Sequence, residues 1–183
     1  MVGLACVEEA VEPDEAYDPT VSDLTAPPPF PTAAGPLVVS SVVGGHTARM
    51  TYVDLVAGSR AVFLLSTSVV GQGPCPAALQ GQCLLIEPPL YRVGTGRADA
   101  DGIATIEVPI PPSVYNGQDL QFQAVAFDPV GNAETSNFWF TEAGPTACSL
   151  LLAPVCGYNG VTYDNTCFAL SAGWPVEHTG SCP

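Results

Sequence analysis

The stretch Cys148-Ser-Leu-Leu-Leu-Ala-Pro-Val-Cys156-Gly-Tyr-Asn-Gly-Val-Thr-Tyr-Asp-Asn-Thr-Cys167, followed by a last cysteine at Cys182, determines the fold of the C-terminal part of the chain. A segment of about forty residues buries too little apolar surface to fold alone, so disulfides between these cysteines must supply part of its stability. The run Asn165–Gly173 predicts one short helix, with Asn165 as its N-cap and Gly173 just past its end.

This stretch resembles the Kazal-type serine protease inhibitor domain. Seven residues separate the first two cysteines and ten the next two. Pro154-Val-Cys-Gly157, Thr162-Tyr-Asp-Asn-Thr-Cys167 and the closing Gly180-Ser-Cys182 also match the family pattern. The resemblance covers about a fifth of the chain, and we call residues 144–183 the C-terminal module.

The resemblance also implies how the cysteines pair. Kazal domains have six cysteines, and their second, third, fourth and sixth are present here, which implies the bridges Cys148–Cys167 and Cys156–Cys182. The first and fifth, which are partners in the family, would fall near Thr146 and Ser171 and are both absent. Their joint loss leaves two complete bridges and no stranded thiol.

Site residues follow from the same resemblance. The implied protease-binding loop is Cys148, Ser149, Leu150, Leu151, Leu152 and Ala153. Leu150 would enter the specificity pocket of the protease, with the scissile bond between Leu150 and Leu151, and Asn165 lies where the family uses an amide side chain to brace the loop. Since a buried carboxylate in a trypsin-like pocket would be left unpaired by leucine, the expected partner is a serine protease of the chymotrypsin, elastase or subtilisin type.

Residues 36–143 carry seven short runs of strand-forming residues, each bounded by Gly, Pro, Asn or Asp. Apolar and polar residues alternate most clearly in Ala104-Thr-Ile-Glu-Val108, which is the period of a strand with one buried face. Seven strands at this spacing favour an immunoglobulin-like β-sandwich. The chain is thus predicted to be mainly β, with this sandwich followed by a small disulfide-rich Kazal-like α+β module. The predicted strands are Leu37–Val43, Thr47–Val53, Arg60–Thr67, Tyr91–Arg97, Ile103–Pro109, Leu120–Phe127 and Thr135–Thr141.

A local loop interrupts the strand pattern between Cys75 and Cys83, and we expect a disulfide to close it. Together with the later run Gly94-Thr-Gly-Arg-Ala-Asp-Ala-Asp-Gly102, this loop resembles a secreted bacterial β-domain, a resemblance that implies fold and location only. Asp99-Ala-Asp-Gly102 opens like a calcium loop, but the glutamate at its twelfth position is missing, so a β-turn is the better interpretation. No Cys-x-x-Cys occurs and the two histidines are far apart, so neither a metal nor a cofactor is expected.

Residues 1–35 differ in composition from the rest and are predicted to be a signal remnant and an acidic, proline-rich, disordered tether. The start Met1-Val-Gly-Leu-Ala-Cys6 resembles the lipobox of bacterial lipoproteins, in which the cysteine is acylated. Cys6 is therefore a candidate lipidation site, and the alternative is a free thiol in a disordered terminus. A lipid at Cys6 would be the sole expected contact with a membrane.

Composition narrows the function further. Eighteen acidic residues against four arginines give a net charge of −14, which repels phosphate and excludes nucleic-acid binding through a basic patch. Seven cysteines without metal-ligand spacing favour an oxidising location, either extracellular or at the outer cell surface. No catalytic arrangement of Ser, His and Asp is evident, so the chain is not expected to be an enzyme.

Two functions remain after these exclusions. The first is a secreted or surface-tethered serine protease inhibitor that acts through Leu150. The alternative is a non-inhibitory extracellular structural or adhesion protein, in which Leu150, Leu151 and Leu152 would pack against the β-sandwich.

Overall fold

The computed structural model describes residues 36–68, 71–114 and 116–183. The predicted tether over residues 1–35 and the candidate lipidation site Cys6 lie outside these residues. The described chain is mainly β, which confirms the predicted fold class. Its elements are β1 (Leu37–Val39), β2 (Thr47–Tyr52), β3 (Arg60–Ser66), β4 (Leu90–Arg97), β5 (Ala104–Pro109), β6 (Asp119–Phe127), β7 (Ala133–Thr135), β8 (Trp139–Glu142), β9 (Val155–Gly157), β10 (Thr162–Tyr163), α1 (Thr166–Ser171) and β11 (Val176–Thr179).

Strands β1 to β8 form two antiparallel sheets. The first sheet has the order β1-β2-β5, and the second has the order β4-β3-β6-β7, with β8 also paired to β6. Met50 lies opposite Ile106 in the first sheet, and Phe63 lies opposite Ala124 in the second. The inward faces of both sheets share one apolar core, so this part of the chain is a β-sandwich.

Large buried side chains from both sheets fill that core. Met50 and Tyr52 of β2 meet Phe63 of β3 and Phe122 of β6, and all four are almost inaccessible to solvent. The alternating pattern places these residues on one face of each strand, since successive side chains of a strand point to opposite sides of the sheet.

A second, smaller core lies on the outer face of the second sheet. The loop closed by the Cys75–Cys83 disulfide folds over β6 and β7, where Leu79, Leu84 and Ile86 pack with Val125 and Ala133. Two glutamines anchor this loop to the sheet. Gln82 Nε2 donates to Ala133 O at 3.1 Å, and the backbone N–H of Leu85 donates to Gln123 Oε1 at 2.8 Å.

The last predicted strand of the sandwich, Thr135–Thr141, is wrong as a single element. The chain instead forms β7 and β8, which both pair with β6 and are separated by Ser136–Phe138. The hydroxyl of buried Ser136 accepts a hydrogen bond from the N–H of Ala124 at 2.9 Å, so a side chain replaces a backbone group in the ladder. Asn137 turns toward the other sheet, where its Oδ1 accepts from Leu37 N–H at 2.6 Å. This bulge links the two sheets, and the alternation of residue types gives no sign of it.

The C-terminal module contains a small antiparallel sheet of order β10-β9-β11 and the helix α1. Central strand β9 is fully buried, and Cys156 within it is bonded to Cys182. The module lies against the outer face of the first sheet, where the carbonyl of Gly173 accepts a buried hydrogen bond from Thr51. Each outer face of the sandwich is therefore partly covered, one by the Cys75–Cys83 loop and the other by the module.

Tyr52 carries a hydroxyl that is buried without a hydrogen-bond partner among the described residues. Burial raises the pKa of this phenol above its usual value, so the hydroxyl stays protonated.

A buried polar atom without a partner is unfavourable, so we expect Tyr52→Phe to raise the free energy of unfolding by about 1 kcal/mol. Urea unfolding measures this change, with exposed Tyr91→Phe as a control that should leave stability unchanged. A clear loss of stability in Tyr52→Phe would show that the hydroxyl is hydrogen-bonded after all.

Candidate protease-binding site

The segment after Cys148 projects into solvent. Leu150 is 86% exposed, and Leu151 and Leu152 are each 72% exposed. Exposing three consecutive apolar side chains to water is unfavourable. Such an exposed apolar patch is unusual in a soluble protein unless the surface serves binding. The neighbouring residues Ser149, Ala153 and Pro154 are also exposed, so the whole loop from Ser149 to Pro154 is accessible from outside.

The backbone of this loop is nevertheless fixed by the side chain of Asn165. Its Nδ2 donates to the carbonyl oxygens of both Ser149 and Leu151, each at 2.9 Å. These two carbonyls lie on either side of Leu150, so a single amide group holds the peptide on both sides of the most exposed leucine.

Asn165 has a second function at the start of α1. Its Oδ1 accepts from the backbone N–H of Phe168 at 3.3 Å, which makes Asn165 the N-cap of the helix. One side chain thus connects the first turn of α1 to the exposed loop. Asparagine suits both tasks because its carbonyl oxygen accepts while its NH₂ group donates two hydrogen bonds.

Further contacts limit the movement of the two ends of the loop. Cys148 is bonded to Cys167 of α1, with Cα atoms 5.6 Å apart. The N–H of Ala153 donates to Asp164 O at 2.8 Å, and the carbonyl of Pro154 accepts from Gly180 N–H at 2.8 Å. The structure therefore brings together all the residues implied for the site. The sequence does not predict the contacts of Asp164 and Gly180, because these two residues bind the loop through backbone groups that every residue type carries.

Cys156, Glu177 and His178 also approach one another. The sulfur of Cys156 is bonded to Cys182, so it is not available as a thiolate ligand. These three residues belong to the framework of the small sheet and lie outside the exposed loop.

Residues 134–172 match the family model of the Kazal-type serine protease inhibitor domain. The match covers about a fifth of the chain, and over these residues the chain is similar to Kazal-type domains. The match begins in β7, ends just past α1, and includes the exposed loop and Asn165.

Other comparisons add little to this assignment. A solved structure described as a tetra-tandem repeat in the extending region of a large adhesion protein aligns with 82% of this chain and 42% of that chain, at 16% sequence identity and a TM-score of 0.36. The chain thus spans less than half of that structure, and the likeness is too weak to carry an argument. No curated protein matches the sequence. Among the described residues, no helix is long and apolar enough to cross a membrane.

The two functions of Asn165 can be separated by substitution. Asn165→Asp keeps an oxygen that can cap α1 but removes the NH₂ group that holds Ser149 O and Leu151 O. We expect amide hydrogen exchange in the loop to become at least about tenfold faster. Each of the two lost hydrogen bonds from Asn165 contributes about 1 kcal/mol to the free energy of opening the loop. The α1 amides should keep their protection, since the cap is retained.

Asn165→Ala is the matched variant for this experiment. It removes the cap as well as the brace, so the α1 amides should then exchange faster too. Unchanged exchange in the loop of Asn165→Asp would show that the amide does not restrain it.

Proposed function

We propose that the chain is a secreted or surface-tethered inhibitor of serine proteases, in which the loop Cys148–Ala153 binds the active site as a substrate would and Leu150 fills the specificity pocket. The observation that carries this proposal is the combination of exposed leucines and a restrained backbone. A flexible loop with the same side chains would simply be digested.

Preorganisation explains how such a loop could inhibit. A strand already held in the bound shape loses little conformational entropy on binding, so more of the contact energy appears as affinity. Hydrolysis of the Leu150–Leu151 bond adds one water across the peptide bond. The disulfide Cys148–Cys167 would then keep the two halves connected, and Asn165 would hold both new ends near each other. Under these conditions the bond can form again by loss of water.

The class of protease follows from the residue expected in the pocket. Leucine is uncharged and branched, which suits the apolar pockets of chymotrypsin-, elastase- or subtilisin-like enzymes. A trypsin-like pocket would bury a carboxylate opposite Leu150 with nothing to pair it.

The alternative of a non-inhibitory extracellular structural or adhesion protein predicts a different position for the leucines. It requires Leu150, Leu151 and Leu152 to pack against the β-sandwich, whereas all three are exposed. Their exposure supports the inhibitory function over the structural one.

The β-sandwich and the N-terminal tether would present the inhibitory loop to proteases. The strand order supports an immunoglobulin-like sandwich, since β3, β6 and β7 follow the order of strands C, F and G in that fold, with β4 beside β3. Such a sandwich would carry the inhibitory loop outside the cell, on an acidic tether with Cys6 as its lipid anchor.

A panel of proteases tests the proposal directly. We expect the full chain to inhibit subtilisin, chymotrypsin or elastase stoichiometrically. Leu150→Arg should weaken this inhibition and strengthen inhibition of trypsin, so that the preference moves by at least about a hundredfold. Val161→Arg introduces the same charge at another exposed position of the module and should leave the preference unchanged.

Two results would contradict the proposal. One is a wild-type chain that none of these proteases binds. The other is a Leu150→Arg variant whose preference between trypsin and chymotrypsin equals that of the wild type.

A further inference from the structure

We propose that the outer face of the first β-sheet positions the protease-binding loop, and that Ser41, Arg49 and Thr51 act as positioning residues by holding the C-terminal end of α1. This inference deepens the proposed inhibitory function and rests on it. It assigns the β-sandwich a direct part in inhibition rather than the role of a spacer.

Three consecutive carbonyl groups, in the last residue of α1 and the two residues that follow it, accept hydrogen bonds from the sandwich. Ser41 N–H donates to Ser171 O at 3.3 Å, and Arg49 Nη1 donates to Ala172 O at 3.4 Å. Thr51 Oγ1 donates to Gly173 O at 2.7 Å in a fully buried contact. The last carbonyls of a helix have no partner within the helix. Here another part of the chain supplies the donors.

Close packing surrounds these hydrogen bonds. Gly173 has a φ of +79°, and a Cβ at this position would lie 3.0 Å from Arg49 Cβ and 3.1 Å from Arg49 O. Glycine is therefore required both by its conformation and by the proximity of β2. The guanidinium of Arg49 also lies 5.3 Å from the ring centroid of Trp174, within the range of a cation–π contact.

Ser41 also holds the segment that leads into the loop. Its hydroxyl lies 2.7 Å from Thr146 Oγ1, while its N–H binds Ser171 O. Ser41 thus contacts the module at both Thr146 and Ser171. These are the two positions near which the family resemblance places the absent cysteines. Next to Ser41, Gly144 N–H donates to Val42 O at 2.7 Å.

A further contact joins Tyr158 of the module to the sandwich. The hydroxyl of Tyr158 donates to Asp54 Oδ1 at 3.1 Å. Burial and this hydrogen bond raise the pKa of Tyr158, so its hydroxyl remains a donor at neutral pH.

The contacts that hold α1 on the sheet also restrain the loop, because α1 is connected to the loop through Asn165 and Cys167. α1 has six residues, too few to be stable without contacts from the rest of the protein. Its C-terminal end is held by the sandwich, and its N-terminal end carries Asn165, which binds Ser149 O and Leu151 O. Cys167 within the helix is bonded to Cys148 at the start of the loop. A module released from the sheet would therefore lose the fixed support on which the loop depends.

Thr51→Val in the full chain tests the inference. Valine has nearly the shape of threonine and favours a strand, but it leaves Gly173 O buried without its donor. The measurement is NMR hydrogen exchange of the Ala153 amide, which is bonded to Asp164 O. We expect this amide to exchange about tenfold faster in Thr51→Val than in the wild type, because opening of the loop follows the docking equilibrium.

Thr47→Val provides the matched control, since Thr47 is exposed at the start of the same strand. It should leave the exchange of Ala153 unchanged. The amide of Phe63, in the middle of β3, reports on the sandwich itself and should keep its protection in both variants. If Phe63 also exchanges faster in Thr51→Val, Arg49→Met decides the question instead, because it removes the side-chain donor to Ala172 O and the cation–π contact with Trp174. The same tenfold effect on Ala153 alone is then expected.

Unchanged exchange of Ala153 in the deciding variant would overturn the inference. A second readout is the rate at which a catalytic amount of subtilisin cleaves the Leu150–Leu151 bond. In the deciding variant this rate should rise together with the exchange rate of the Ala153 amide. Faster exchange with unchanged cleavage and unchanged inhibition would also overturn it. If the wild-type chain binds no protease, the proposed function fails, while hydrogen exchange still decides whether the sheet positions the loop.

Discussion

The hydrogen bonds from Asn165 to the carbonyls of Ser149 and Leu151 are the interaction on which the candidate site depends. Without them, three exposed leucines would form a flexible apolar segment, and such a segment is a substrate rather than an inhibitor. The side chain can do this because it starts a helix, and the helix is fixed in turn by a disulfide to Cys148. A module of this size has too little interior to restrain the loop by core packing.

The module gains additional restraint from the β-sandwich. The buried bond from Thr51 to Gly173 and the contacts of Ser41 and Arg49 connect α1 to the first sheet. On the other outer face, where the Cys75–Cys83 loop lies on β6 and β7, an apolar cluster accompanies the hydrogen bonds of Gln82 and Gln123. A polar interface between domains is directional, because each donor must meet its acceptor at a defined position.

The sequence was sufficient to predict those features that depend on residue type and spacing. Alternation in β5 and the Gly, Pro, Asn or Asp residues that bound each apolar run predicted the mainly β fold, and Asn165 and Gly173 marked the ends of a short helix. Pairing between distant backbone groups was beyond the same reasoning. The bulge at Ser136 and Asn137 divides a run that looks like one strand, and the docking of Gly173 on β2 depends on residues more than a hundred positions apart.

The most direct test of the account is religation of the cleaved loop. The full chain is cut at Leu150–Leu151, isolated with its disulfides intact, and incubated with a trace of fresh subtilisin or chymotrypsin while its mass is followed. If the loop ends are held as proposed, part of the cleaved chain loses one water and regains the intact Leu150–Leu151 bond until a stable mixture of both forms is reached. If the cleaved chain never regains the bond and is digested further, the loop is an ordinary substrate and the account is contradicted.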